Sequence, residues 1–255
     1  MCIRDSSREE QALLHLSSPY NATHLDFNNA ADPYGAAAST FRRWLEDGVV
    51  KLDETPGYYY YRQEFELKDG SRRTRSGIFV ALRVEDFETG TIRPHEQTFP
   101  GAKKDRLALL RACQTHLSSI FCLYGKKDWS VADVIPELLE LPASVQLTDR
   151  DRVTHRLWYV TEASAIETIT KEIAAQSLII ADGHHRFETA CTYARQCREK
   201  GWRPSAVESF DKRMMALFNM EGTGLRNLPT HRAVKGLDDF HQRVFLELSL
   251  IHISE

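Results

Sequence analysis

The chain has 255 residues with 33 Lys and Arg against 36 Asp and Glu, a formal charge of −3, and 42% apolar and 27% charged residues. That is the balance of a globular domain large enough to bury a core. It argues against a strongly basic nucleic-acid-binding domain, and no apolar run approaches the ~18 residues of a membrane span. We therefore expect no nucleic-acid partner and no membrane partner; the oligomeric state is not legible.

The two ends stand apart. The opening M-C-I-R-D-S and closing L-S-L-I-H-I-S-E resemble translated adapter sequence. Residues 1–5 and 248–255 are thus expected to be foreign, and 6–247 to form one domain cut at both ends. Charged residues from Arg4 to Glu10 leave no signal-peptide pattern. The five cysteines, Cys2, Cys113, Cys122, Cys191 and Cys197, are odd in number and form no C-x-x-C pair. They read as buried or incidental thiols of a reducing, cytoplasmic protein.

In chain order, Ser6 or Ser7 followed by Glu9 and Glu10 starts a first helix that Pro19 and Asn21 end. Tyr34 to Asp47 reads as a second helix stopped by Gly48. Tyr58 to Leu67 and Gly77 to Val84 flank Asp69-Gly70 as a β-hairpin. Ile92 to Gly101 is irregular, with a turn at Pro100-Gly101, and Lys104 to Leu117 follows as an amphipathic helix. Ile120 to Tyr124 is a short strand, and a short helix lies near Val131 to Leu139. Then come a strand at His155 to Val160, a helix at Glu162 to Ala175, a strand at Leu178 to Ala181 and a helix at Phe187 to Lys200. Met214 to Met220 reads as a strand, Leu228 to Val234 as a loop and strand, and Asp238 to Leu248 as helical. The alternation predicts an α/β (α+β) fold, a mixed sheet with flanking helices.

Three stretches carry polar chemistry. In S-L-I-I-A-D-G-H-H-R-F-E-T-A, residues 177–190, a buried strand runs through Asp182 and Gly183 into a helix. Free N–H groups at such a helix start favour anions. Gly183 allows close backbone approach, while His184, His185 and Arg186 add donors, Arg186 as a two-pronged phosphate grip. Asp182 is left to hold Mg²⁺ or to act as a base. The plainer reading has Asp182 capping the helix, Arg186 paired with Glu188 or turned to the surface, and both histidines structural. A zinc site on His185 and Glu188 is disfavoured because adjacent histidines face different sides of a helix. In R-P-H-E-Q, residues 93–97, Pro94 fixes an extended entry for His95 and Glu96. Alone, this reads as a charged surface loop. Lys103, Lys104 and Arg106 at the next helix start oppose its dipole; they serve a ligand or form a solvated face. In L-P-T-H-R, Thr230, His231 and Arg232 offer a third polar cluster.

Together, R-P-H-E-Q-T-F-P-G-x-K-K-D-R-L-A-L-L-R-A, I-A-D-G-H-H-R-F-E-T-A, M-M-A-L-F-N-M and L-P-T-H-R resemble the bacterial DUF1015 family. The pair P-H-E-Q and D-G-H-H-R also resembles the free-serine kinases of the ParB/sulfiredoxin-like superfamily. This resemblance implies a ParB/sulfiredoxin-like nucleotide-binding core, truncated at both ends. It also implies transfer of a phosphoryl group from ATP or ADP, with Mg²⁺, to the hydroxyl of free L-serine or a similar metabolite. Glu96 maps onto the catalytic base and Asp182 inherits a catalytic role. Gly183, His184, His185 and Arg186, with His95 beside them, map onto the phosphate-binding residues. Thr230, His231 and Arg232 are the loose counterpart of a substrate-binding segment whose residue order differs. The alternative is a ParB-like nucleotide-binding regulator without phosphotransfer, which the absence of a recognisable helix-turn-helix and the net charge weigh against.

Overall fold

The computed structural model describes residues 7–205 and 209–225. Among them, eight strands form a single sheet in the order β3-β7-β4-β8-β2-β1-β6-β5. The strands are β1 Tyr58–Glu66, β2 Arg72–Arg83, β3 Ile92–Arg93, β4 Ile120–Tyr124, β5 Val145–Thr148, β6 Thr154–Val160, β7 Leu178–Asp182 and β8 Lys212–Asn219. The helices are α1 Arg8–Ser17, α2 Thr23–Asp26, α3 Pro33–Glu46, α4 Pro100–Cys113, α5 Pro136–Glu140, α6 Ala163–Ala174 and α7 His184–Glu199. Pairs β3–β7 and β4–β8 are parallel and the rest antiparallel. The expected mixed α/β sheet is the observed one.

Local sequence accounts for most boundaries. Ser7 and Glu10 close a capping box on α1. The Asp32 side chain accepts from the Gly35 N–H, and Pro33 opens α3. The β1–β2 hairpin pairs Tyr59 with Phe79 through to Glu66 with Arg72. On α7, Phe187, Ala190, Ala194 and Cys197 form a buried stripe, and the helix packs on α4, β4 and β8. The core joins Ile78, Ile120, Ile180, Met215 and Leu217 to Tyr60 and Trp158.

Several boundaries differ from the expectation. Helix α4 starts at Pro100 rather than Lys104, because proline at a first helical position loses only an N–H that has no intrahelical partner. It ends at Cys113, since Gln114 turns left-handed at φ 51°. Helix α7 starts at His184, three residues before its first apolar residue. The short strands β3 and β5 and helix α2 carried no periodic signal. The segments read at 228–234 and 238–248 lie outside the described residues.

The topology gathers one end of the sheet. Strands β3 and β7 run in parallel and both finish there; β4, antiparallel to β7, begins there, as does β8. The residues after β3 and β7 and those opening β4 and β8 therefore meet at one edge. Outside the carboxyl ends of strands is where open α/β sheets hold ligands.

The loop entering β4 is tied to β8 by His116, whose Nε2–H donates to the Lys212 carbonyl at 3.0 Å. Burial, then the Arg213 charge, pushes the His116 pKa down to about 3. Below pH 6.5 the unfolded chain takes a proton that the folded chain refuses, so this group costs stability as the pH falls from 6.5 towards 3. We expect His116→Gln to remove about 2 kcal/mol of the stability difference between pH 7 and pH 5. Denaturant unfolding at both pH values checks this; equal acid loss in wild type and variant would refute it.

Among the described residues four thiols are free, with Cys122 and Cys197 buried. Burial raises the thiol pKa to about 11 at Cys113 and about 12 at Cys122 and Cys191, which leaves them unreactive. No helix among the described residues is long and apolar enough to cross a membrane.

Candidate active site

The motifs 93–97 and 182–186 are neighbours in space. Strand β3 is only two residues long, but it pairs Ile92 with Leu178 and Arg93 with Ile179. The Leu178 N–H also donates to the Thr91 carbonyl at 2.8 Å. Pro94 then turns the chain across the start of α7.

The two histidines hold that crossing in place. The His95 backbone N–H donates to His184 Nε2 at 3.2 Å, and the Phe99 backbone N–H donates to His185 Nε2 at 2.9 Å. Thr98 Oγ1 and Lys103 Nζ both donate to the Glu188 carboxylate at 2.8 Å. Adjacent histidines were expected to face different sides of the helix. The two rings do take different surroundings, His184 in the interior beside His95 and His185 at the surface beside Phe99, and the segment 95–99 is long enough to meet both.

His184 is buried, with 1% of its surface exposed. Its Nε2 accepts, so Nδ1 carries the proton. Nδ1 lies 2.9 Å from Glu96 Oε1, with the oxygen off the N–H direction. Burial holds the His184 pKa below the usual histidine value, against the opposing pull of Glu96 and Asp182. The imidazole is thus neutral near pH 7, and a neutral ring presents an N–H to the half-exposed Glu96 carboxylate. His95 stands edge-on to His184 with ring centroids 4.5 Å apart. Its Nδ1–H donates to the Ile180 carbonyl at 2.5 Å.

Gly183 precedes α7 with φ 102°, and no side chain caps the helix. Asp182 is therefore not the cap of the plainer reading, because the left-handed glycine takes that position. A Cβ on Gly183 would lie 3.0 Å from the Arg186 guanidinium, so glycine is needed both for its φ and for this close approach. Arg186 folds back to pair with Asp182 Oδ2 at 2.5 Å. It also donates to Ser118 Oγ and the Ser119 carbonyl. Its partner is Asp182 and not Glu188. The guanidinium braces strand β7 against the start of β4, with part of its donor capacity already used. The first-turn N–H groups of α7 remain the open anion-favouring feature.

The basic residues of α4 do not form a free patch at the site. Lys103 is bound to Glu188, and Arg106 pairs with Asp26 at 2.6 Å and Asp105 at 3.1 Å. Sequence reasoning passed over Thr98 and Arg213, a buried cation on β8, and it weighed Glu188 only as a zinc ligand or a partner of Arg186, whereas Glu188 anchors the loop through Thr98 and Lys103. Thr230, His231 and Arg232 lie outside the described residues. No group of three or more His, Cys, Asp or Glu able to hold a metal occurs among the described residues. A magnesium ion carried on nucleotide phosphates needs only one or two carboxylates, and the exposed Asp182, bonded to Arg186 through Oδ2, fits that demand.

No curated protein and no solved structure matched the chain. Residues 5–250 match the family described as "Protein of unknown function (DUF1015)". That match spans nearly the whole chain and both motifs of the site, and the chain belongs to the DUF1015 family.

Proposed function

We propose that the protein is a small-molecule kinase that transfers a phosphoryl group from ATP or ADP to the hydroxyl of free L-serine or a similar metabolite. The observation that carries this reading is the juxtaposition at the sheet end. A carboxylate, Glu96, lies 2.9 Å from Nδ1 of a neutral buried histidine, beside a helix N-terminus with no side-chain cap. Phosphoryl transfer to an alcohol needs those two parts together, a base for the hydroxyl and a cradle for the phosphates. The resemblance of P-H-E-Q and D-G-H-H-R to the ParB/sulfiredoxin-like free-serine kinases points the same way.

In this reading the α7 N–H groups and Gly183 receive the phosphates, with His185 and Arg186 framing them. Glu96 takes the hydroxyl proton as the new O–P bond forms and the bond to the departing nucleotide phosphate breaks. His184 is a positioning residue that orients Glu96. Asp182 would hold Mg²⁺, which when bound neutralises charge on the transferred group. The free thiols accord with a cytoplasmic setting.

The test is incubation of the chain with ATP or ADP, Mg²⁺ and a panel of hydroxylated metabolites, followed by phosphorus NMR. Phosphoserine is the expected product. Nucleotide binding with transfer to no acceptor would overturn the reading, and CTP-selective binding without transfer would favour the regulator.

A further inference from the structure

Behind the site, α2, α4, the loop 114–119, α7 and β8 line a partly open cavity of about 40 Å³; Arg106, Arg186, Arg213, His116 and Thr189 face it together with one carboxylate, Asp26. Three cations from three elements converge there. Arg106 has its carboxylates in Asp26 and Asp105, and Arg186 has Asp182. Arg213 is only 3% exposed and has no carboxylate within ion-pair distance among the described residues. Its single bond is from Nη2 to the Ser118 carbonyl. Arg213 Nε and Nη1, Arg106 Nη2 and Thr189 Oγ1 are all buried with no hydrogen-bond partner among the described residues.

Buried donors are ordinarily satisfied, and a buried cation ordinarily has a counter-charge. Water there would satisfy the donors but leave the Arg213 charge unbalanced. The desolvated Arg213 guanidinium has its pKa lowered to about 9, chiefly by burial and then by the neighbouring Arg186 charge, despite the partial relief that Asp26 provides. Asp26, the one lining carboxylate, is bound to Arg106, so three guanidiniums share a single carboxylate in the cavity and a further anion would balance them. A planar carboxylate serves donors from one side, whereas these come from α4, α7 and β8, a spread that suits a tetrahedral oxyanion.

We infer that this cavity is a binding site for a phosphate group, held by Arg213, Arg106 and Thr189 and joined to the α7 turn through Arg186. The inference does not rest on phosphoryl transfer, since a protein that transfers nothing would still hold the anion. The group is either inorganic phosphate or a phosphate of a nucleotide seated at the turn.

The experiment follows histidine ring resonances by NMR at pH 7 during titration with inorganic phosphate, against chloride at equal ionic strength. A saturable shift of His116, which lines the cavity, is expected, and Arg213→Met should abolish it. Arg213→Lys keeps the charge but loses the fork, and should weaken the apparent affinity about tenfold. Thr189→Val, which removes one donor, should weaken it less, and it tests the site if neither Arg213 variant folds. ADP in a second titration separates the sources: competition with phosphate for the His116 shift marks a nucleotide phosphate, and its absence marks the free ion. Shifts confined to His184 and His185, equal shifts in wild type and Arg213→Met, or no saturable shift at His116 would each overturn the inference. Because no turnover is read, its failure is distinct from failure of the kinase reading.

Discussion

Glu96→Gln should lower phosphoryl transfer by at least 10²–10⁴-fold, the usual contribution of a positioned general base, while nucleotide affinity stays within about twofold. The substitution suits the local geometry. Glutamine keeps the length of the side chain, and its amide oxygen can still face His184 Nδ1–H, which lies 2.9 Å from the present carboxylate. Only the capacity to take a proton is removed. Glu96 is half-exposed, so the change buries no new polar group and the fold is expected to tolerate it. Single-turnover phosphoserine formation measures the chemistry, and equilibrium nucleotide binding measures the cradle. Full turnover in the variant would remove Glu96 from the chemistry. Loss of nucleotide affinity in its place would make Glu96 a structural member of the phosphate site and would sink its role as base.

That prediction depends on a contact the chain does not announce. His95 and His184 are 89 positions apart, and what joins them is β3, a two-residue strand paired with β7. Two residues carry no period, so no pattern could reveal β3. Strands β4 and β7 and the hairpin were legible because an apolar alternation or run must be buried somewhere. The exposed strand β5 was not, since all four of its residues face solvent. The chain-order span began α7 late, at Phe187, for a related reason: H-H-R shows no apolar stripe, and only the Asp182-Gly183 turn of the motif marks the boundary. Arg213 was invisible as a site residue. Its sequence neighbours Lys212 and Met214 say nothing of burial, which follows from β8 lying beside β4 and β2 in the sheet interior. The site chemistry was legible as residue types within two motifs, and its assembly was a property of sheet topology.

The topology also makes His184 the residue on which the site stands. We expect His184→Ala to destabilise the protein by about 3 kcal/mol. The loss combines a cavity at a buried ring with the removal of a hydrogen-bond acceptor from the His95 backbone. His185→Ala is expected to cost about 1 kcal/mol, because that ring is only partly buried and its bond to the Phe99 N–H lies at the surface. Denaturant unfolding gives the two energies, and amide hydrogen exchange locates them. In His184→Ala the His95 amide should lose protection while amides in the middle of α7 keep theirs, since Phe187, Ala190 and Ala194 still bind that helix to the sheet. Glu96 would then lose the N–H-bearing nitrogen 2.9 Å from its carboxylate, so any transfer activity should fall through kcat more than through KM. A His184→Ala protein of wild-type stability with a protected His95 amide would mean that β3 alone fixes the loop. Uniform loss of protection along α7 would mean that His184 supports the helix rather than the crossing. Either result would separate Glu96 from the histidine, and the base would have to be positioned by another contact.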